Sequence, residues 1–221
     1  MALTPPPRRY LHVLRFDRTE RWFHWALAIP MLVAILSGLA LYFPGLEKLM
    51  GNREIARDVH RLFGFGAVIL PVAVLALRDR GSLREDLGVI DNWSADDRLW
   101  LRLWVRRKFG FRNQLPPQGR FNAGQKFNAI LTGAALFWLT VTGVLLFPGI
   151  RPPFWLVTNA RSLHDLAWFL LVPAVAGHIF LAAVYPPTRP GVWGAINGRV
   201  RLDWLRHHHP LAPEVTKQPP T

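Results

Sequence analysis

Eight histidines occur in this 221-residue chain, and cysteine is absent. Four of them, His24, His60, His164 and His178, fall in or at the ends of long apolar stretches. Imidazole in such a place can anchor a helix at an interface, relay protons or ligate a metal. As a ligand, its neutral nitrogen suits iron, copper or zinc. The absence of cysteine removes disulfides, thiolate nucleophiles, iron–sulfur clusters carried by this chain, and covalent haem attachment through a Cys-x-x-Cys-His motif. Any redox chemistry must use another ligand, and histidine is the one supplied.

The elements that must position these histidines are membrane helices. Hydrophobic residues make up 51% of the chain and charged residues only 19%. Four uncharged runs, at 22–46, 62–77, 127–150 and 166–188, hold most of the apolar content. Three reach the roughly 20 residues that cross a bilayer. The second has 16, and it spans if its helix starts near Asp58 and the Arg61 guanidinium snorkels to the headgroups. The expected spans are 21–42, 58–77, 124–147 and 162–185, the first stopping at Pro44-Gly45 and the last at Pro186-Pro187. The expected fold is all-α, an integral membrane four-helix bundle over residues 21–206. It is flanked by an N-terminal arm at 1–20 and a C-terminal tail at 207–221. Pro5-Pro6-Pro7-Arg8-Arg9 reads as an extended basic segment attracted to anionic lipid, and the proline-rich sequence after residue 210 as a disordered tail.

The net charge of +13 would suggest nucleic acid in a soluble protein, but its placement points to topology. The N-terminal segment to Arg21, the 78–126 connection and the C-terminal segment carry 21 of the Lys and Arg residues, and the other two loops carry 6. With four spans these three segments share one side, and the positive-inside rule makes that side cytoplasmic, with both termini inside. A cleaved secretory signal is the competing reading of the first 43 residues, but the first apolar run is longer than such a signal needs and no small-residue cleavage site follows it, so the helix is expected to be retained.

This topology sorts the histidines by depth. His24 begins a helix that starts inside, whereas His60 and His164 begin helices that start outside. His178 follows His164 by 14 residues, about 21 Å deeper at 1.5 Å per residue, back in the cytoplasmic half. At about 100° per residue the two project from nearly the same face, Pro173 between them making the phase approximate. The pairs are then His24 with His178 at the inner level and His60 with His164 at the outer. Two imidazoles from separate helices make a poor closed zinc site but suit a macrocycle that already supplies four nitrogens. The inference is two haems stacked across the membrane, each iron with two axial histidines. Iron without an open position favours electron transfer over oxygen activation. Gly38, Gly64, Gly66, Gly143 and Gly177 would let a flat ring approach backbone, and equally let membrane helices pack closely.

Two further blocks carry polar signal. Ser94 followed by Asp97 marks a helix start, and Leu99, Trp100, Leu103 and Trp104 share one face among arginines. This is an amphipathic helix in the cytoplasmic interface. Arg120-Phe121-Asn122-Ala123-Gly124-Gln125-Lys126 stands at the cytoplasmic entrance to the third span, at the inner histidine level. Asn122 and Gln125 form the pattern of a capping box, the reading the residues favour by themselves. The same amides could meet the two carbonyls of a quinone headgroup. His207-His208-His209 reads as a surface cluster, and His12 is given no role.

Taken together, these blocks resemble the cytochrome b, or gamma, subunit of membrane-bound formate dehydrogenase. The resemblance runs from about Arg15 to Leu211. It is carried by Glu20-Arg21-Trp22-Phe23-His24-Trp25 with Leu36-Ser37-Gly38-Leu39, by His60-Arg61-Leu62-Phe63-Gly64, and by Phe121 to Lys126. Leu163-His164, Gly177-His178-Ile179 and Trp204 with His207-His208 complete it. The resemblance implies four spans in a bacterial inner membrane and two haem b, held by His60 with His164 outside and His24 with His178 inside. It implies a quinone site, for menaquinone or ubiquinone, at Asn122, Gly124 and His178, with Gln125 in the same block. It implies an iron–sulfur (beta) partner that delivers electrons at the outer haem, and a molybdenum or tungsten (alpha) partner that oxidises formate. This chain would not touch formate itself. The equivalent cytochrome b of a nickel–iron hydrogenase or of a thiosulfate or polysulfide reductase shares the architecture. A histidine-based proton-relay transporter is disfavoured, since the spans carry no chain of carboxylates and no inverted repeat. An inert anchor would bind no cofactor.

Overall fold

The computed structural model describes residues 10–216, so Pro5-Pro6-Pro7-Arg8-Arg9 and residues 217–221 lie outside the described residues. Four long helices dominate: α1 (Arg18–Tyr42), α2 (Arg53–Leu77), α5 (Ala123–Leu145) and α6 (Phe154–Ile179), the last continued by a π-helical turn over Phe180–Val184. All four are long and apolar enough to cross a membrane. Shorter elements are β1 (His12–Leu14), α3 (Gly81–Asp91), α4 (Ala95–Lys108), α7 (Val192–Asn197), β2 (Arg199–Arg201), α8 (Leu202–His208) and α9 (Pro213–Thr216). The chain is an all-α membrane bundle with one two-stranded ribbon, in which β1 pairs antiparallel with β2.

Capping chemistry explains where the helices begin. Asp17 accepts from the Glu20 N–H at 2.8 Å while Glu20 accepts from the Asp17 N–H, so α1 starts three residues before the expected Arg21. Asn52 caps α2 by accepting from the Ile55 N–H at 2.9 Å. That start is five residues earlier than Asp58, which gives the weakest expected span a full 25 residues. The boxes at Ser94/Asp97 and Asn122/Gln125 both form, as their sequences predict. The α6 helix begins at Phe154 rather than near Ser162. The connection expected to hold one amphipathic helix holds two, α3 and α4.

Antiparallel neighbours α1 and α2 pack together, as do α5 and α6. All four helices contribute to one apolar core: Met31 and Ile35, Ala67, Ala135, and Leu171 with Val175. On α6, Leu171 and Val175 fall between His164 and His178, so the core sits at mid-depth. Outward-facing residues such as Ile29, Leu36, Leu62, Val72, Phe137 and Leu170 stay exposed, as a lipid-facing surface requires.

The N-terminal arm, the 78–122 connection and the C-terminal segment gather at one end of the bundle. Arg120 is gripped by Glu20, Asp86 and Glu214, and Arg15 meets Glu214 at 3.2 Å and the Arg120 carbonyl. The described part of the arm, from Tyr10 on, is therefore clasped by the ribbon and these contacts. Residues 211–216 of the segment expected to be disordered are instead placed in structure, with α9 delivering Glu214 to both arginines. Of the histidine run, His207 is exposed as expected, whereas its last member departs from that surface role. His209 is buried, its Nδ1 hydrogen-bonded to the Gly119 carbonyl at 2.8 Å.

Candidate functional site: two histidine pairs

The four intramembrane histidines meet in the pairs their depth and phase predict. The His24 and His178 rings lie with centroids 6.2 Å apart, and the His60 and His164 rings 6.1 Å apart. Each pair joins α6 to a different helix, α1 at one level and α2 at the other. Hydrogen-bonded imidazoles would sit closer. With about 2 Å from each coordinating nitrogen to a metal and about 1 Å more to each ring centre, the spacing accommodates one ion between two imidazoles.

The tautomer of each ring at the second pair is fixed by its hydrogen bonds. His60 Nδ1 lies 2.9 Å from the Ala34 carbonyl, which can only accept, so Nδ1 carries the proton. The Ser37 hydroxyl stands beside it at 3.3 Å, itself donating to the Val33 carbonyl at 2.8 Å. Thr142 donates its single hydroxyl proton to the Trp138 carbonyl at 2.6 Å, so it accepts from His164 Nδ1 at 2.7 Å. Both Nε2 atoms are left with a lone pair for a metal, the tautomer that outer hydrogen bonds impose on metal-bound histidine. Ser37 and Thr142, both fully buried, are functional residues that sequence reasoning missed. Ser37 stood inside a recognised block without a role, and nothing in the sequence around Thr142 points to His164.

A cavity of about 380 Å³ opens at this level, lined by His60, His164, Gly38, Gly64 and Gly143. Gly38 lets the His60 ring pack closely, since a Cβ there would come within 3.2 Å of His60 Cε1 and press on the imidazole. A Cβ on Gly64 would meet nothing within 4 Å, consistent with open space for a ring. The remaining glycines divide: Gly143 sits in ordinary contact range of His164, Gly66 backs onto Pro30, and Gly177 faces open space. Among the described residues no three His, Asp or Glu side chains converge on one point. The donor set is thus two imidazoles per level with no third protein ligand. It fits a macrocycle that brings its own equatorial nitrogens and does not fit a closed protein-only site.

The Asn122 block lies at the end of the bundle that holds His24. Arg120 contacts Glu20, one helical turn before His24 on α1. Asn122 Oδ1 accepts from the Gln125 N–H and Gln125 Oε1 from the Asn122 N–H, each at 2.9 Å. Both side-chain carbonyls are consumed by the cap, which leaves the two amide NH2 groups as the donors available to a ligand. Gly124 has a local reason of its own: a Cβ there would approach the Trp100 ring of α4 to 3.3 Å. No hydrogen bond joins Asn122 or Gln125 to His24 or His178 among the described residues. Next in the block, Lys126 is buried against Asp97 and the Asn92 carbonyl, both at 2.9 Å.

Outside the spans, burial raises the Asp97 carboxyl. The Lys126 ammonium and the Ser94 N–H and hydroxyl more than offset this, leaving it below its ordinary value. Burial pulls the His209 imidazole down to about 4, with the Arg15 charge adding to the effect.

Comparison with known proteins agrees with this geometry. Residues 15–198 match the family model described as prokaryotic cytochrome b561. The cytochrome b556(Fdn) subunit of the nitrate-inducible formate dehydrogenase of Escherichia coli (strain K12) is 27% identical over 207 residues, 90% of this chain and 88% of the relative. The cytochrome b556(fdo) subunit of formate dehydrogenase from the same strain is 27% identical over 206 residues, 90% of each chain. The formate dehydrogenase cytochrome b556 subunit of Haemophilus influenzae is 24% identical over 204 residues, 90% of this chain and 81% of the relative. The match extends across all four apolar helices and both histidine pairs, and the chain belongs to the prokaryotic cytochrome b561 family, as a multi-pass membrane haem-b electron-transfer subunit.

Proposed function

We propose that this chain is the di-haem cytochrome b subunit of a formate dehydrogenase. Electrons enter from an iron–sulfur subunit at the His60/His164 level and leave to a quinone, menaquinone or ubiquinone, at the His24/His178 level. A molybdenum or tungsten subunit would oxidise formate. The observation that carries this reading is the pair of facing imidazoles at each of two depths, 6.2 and 6.1 Å between ring centres. Each pair would hold one haem b, which when bound supplies a one-electron couple.

The protein's own work is to hold and insulate those couples. Ala34, Ser37 and Thr142 fix the two outer rings and their tautomers, so little reorganisation accompanies a change of charge between them. The apolar core at Met31, Ile35, Ala67, Ala135, Leu171 and Val175 separates the levels and excludes water from the path. At the inner end, the NH2 groups of Asn122 and Gln125 would donate to a quinone carbonyl while the cap holds their carbonyls in place. Gly124, where a Cβ would press on the Trp100 ring at 3.3 Å, would also let the headgroup approach the backbone there. The basic segments gathered at this end support a cytoplasmic placement in a bacterial inner membrane, and protons for quinone reduction would come from that side.

The test is a reduced-minus-oxidised optical spectrum of the detergent-purified chain, with extracted haem counted per polypeptide. Two non-covalent b-type haems per chain are expected. A well-folded, membrane-extracted preparation from the complete complex that carries none would overturn the proposal.

A further inference from the structure

The cavity between His60 and His164 has a polar rim that ligation does not use. Trp168 is 91% buried, being 9% exposed, and its indole N–H has no hydrogen-bond partner among the described residues. Leaving such a buried donor unsatisfied is destabilising. The indole stacks on Tyr42, the last residue of α1, with centroids 5.8 Å apart, which sets it toward the outer end of the bundle. It is also close to the ligand, because Trp168 Nε1 and the His60 ring both come within 3.4 Å of a Cβ placed on Gly38.

Two arginines line the same cavity. Arg57, exposed, and Arg61, half-buried, stand one turn apart on one face of α2, flanking His60 in sequence. Arg57 makes no ion pair among the described residues. Arg61 meets Asp58 at 3.4 Å, but that carboxylate is 77% exposed, and water screens such a pair to little value. Asp165 also lines the cavity, so one carboxylate faces two guanidiniums and an unpartnered N–H. The rim is a net cationic, donor-rich mouth on an otherwise apolar slot. Its complement is a flat molecule with carboxylates at one edge.

We propose that Arg57, Arg61 and the Trp168 N–H receive the two propionate carboxylates of the haem at His60/His164. This rests on the haem reading above and goes beyond it. The rim fixes which edge of the macrocycle faces the outer surface, and its positive charge favours the reduced, less positive iron. The outer couple is thereby raised in potential relative to what the two imidazoles alone would set.

The test is an optically monitored redox titration of the full chain in membranes. His178→Ala assigns the outer wave, since it removes the other pair. Arg57→Gln should raise the ferric-to-ferrous ratio of the outer haem about tenfold at fixed ambient potential, about 59 mV for one electron. The inner wave should not move, and Arg57→Lys should restore the outer one. Trp168→Phe should shift the propionate bending band in the resonance Raman spectrum. If Arg57→Gln abolishes outer-haem binding, rescue by Arg57→Lys supports the proposal and failure of rescue overturns it. An outer wave unmoved by both Arg57→Gln and Arg61→Gln also overturns it, as does an equal shift of both waves. Two haems whose potentials ignore these arginines would refute this inference alone. A complex with no haem at all would refute the haem reading and this inference together.

Discussion

Replacing Thr142 with valine keeps the shape of the side chain and deletes one oxygen. That oxygen donates to the Trp138 carbonyl at 2.6 Å and accepts from His164 Nδ1 at 2.7 Å. Without it the imidazole N–H loses its acceptor at a site where Thr142 is 1% exposed and water does not substitute. An unsatisfied buried donor costs about 1–3 kcal/mol. Loss of an outer hydrogen bond to a metal-bound histidine typically costs about 10–100-fold in affinity, about 1.4–2.7 kcal/mol, so two independent estimates converge. The expected result is a chain that keeps the inner haem and loses affinity for the outer one by that factor, with Thr142→Ser retaining it. The assay is haem content per polypeptide after dilution into an excess of a competing haem-binding protein, read alongside the optical spectrum. Equal retention of both haems by Thr142→Val, at unchanged potentials, would refute the assignment of His164 Nε2 as the metal-facing nitrogen.

His178→Ala should remove the inner haem and quinone reduction while the outer haem stays; loss of both haems, or of neither, in the difference spectrum would contradict the pairing by level. Asp97→Ala leaves the buried Lys126 ammonium with only the Asn92 carbonyl, and removal of one partner of a buried pair costs about 3–5 kcal/mol. Thermal unfolding in detergent should show it, whereas Asp97→Ala with Lys126→Met should recover most of the loss. The folded pKa of Asp97 is depressed, so its contribution is present above the ordinary carboxylate range and fades as pH falls through the folded value. His209, at about 4 against an ordinary 6.5, supports the fold fully above about 6.5 and progressively less as pH falls toward 4. Limited proteolysis of the C-terminal segment across that window should accelerate, and His209→Gln should flatten the dependence.

The histidine pairing was legible because it needs only two quantities that a sequence carries, depth along a helix and angle around it. The capping boxes at Ser94/Asp97 and Asn122/Gln125 were legible for the same reason, since a cap is complete within four residues. The box at Asp17/Glu20 has the same form, but the charges before Trp22 made the span seem to start later. Ser37 and Thr142 were opaque because the partners they hold lie 23 and 22 residues away on other helices, and only the packed register brings them together. The Arg120 cluster joins residues separated by 34, 94 and 100 positions. Read linearly, its members are ordinary surface charges, and so the arm and tail looked like loose ends.

The ribbon between β1 and β2 has a consequence for the order in which the molecule is made. Its strands pair His12 with Arg201, so the first described element cannot find its mate until the segment beyond the fourth span has been made. The helical hairpins α1–α2 and α5–α6 close over short loops and can insert as they emerge. The ribbon, the Glu214 contacts and the burial of His209 all wait for residues 199–214, the slow, long-range part of assembly. Closure of that clasp is therefore a completion mark: a prematurely terminated chain would carry its spans into the bilayer and leave the strand edge of β1 exposed to the quality-control machinery.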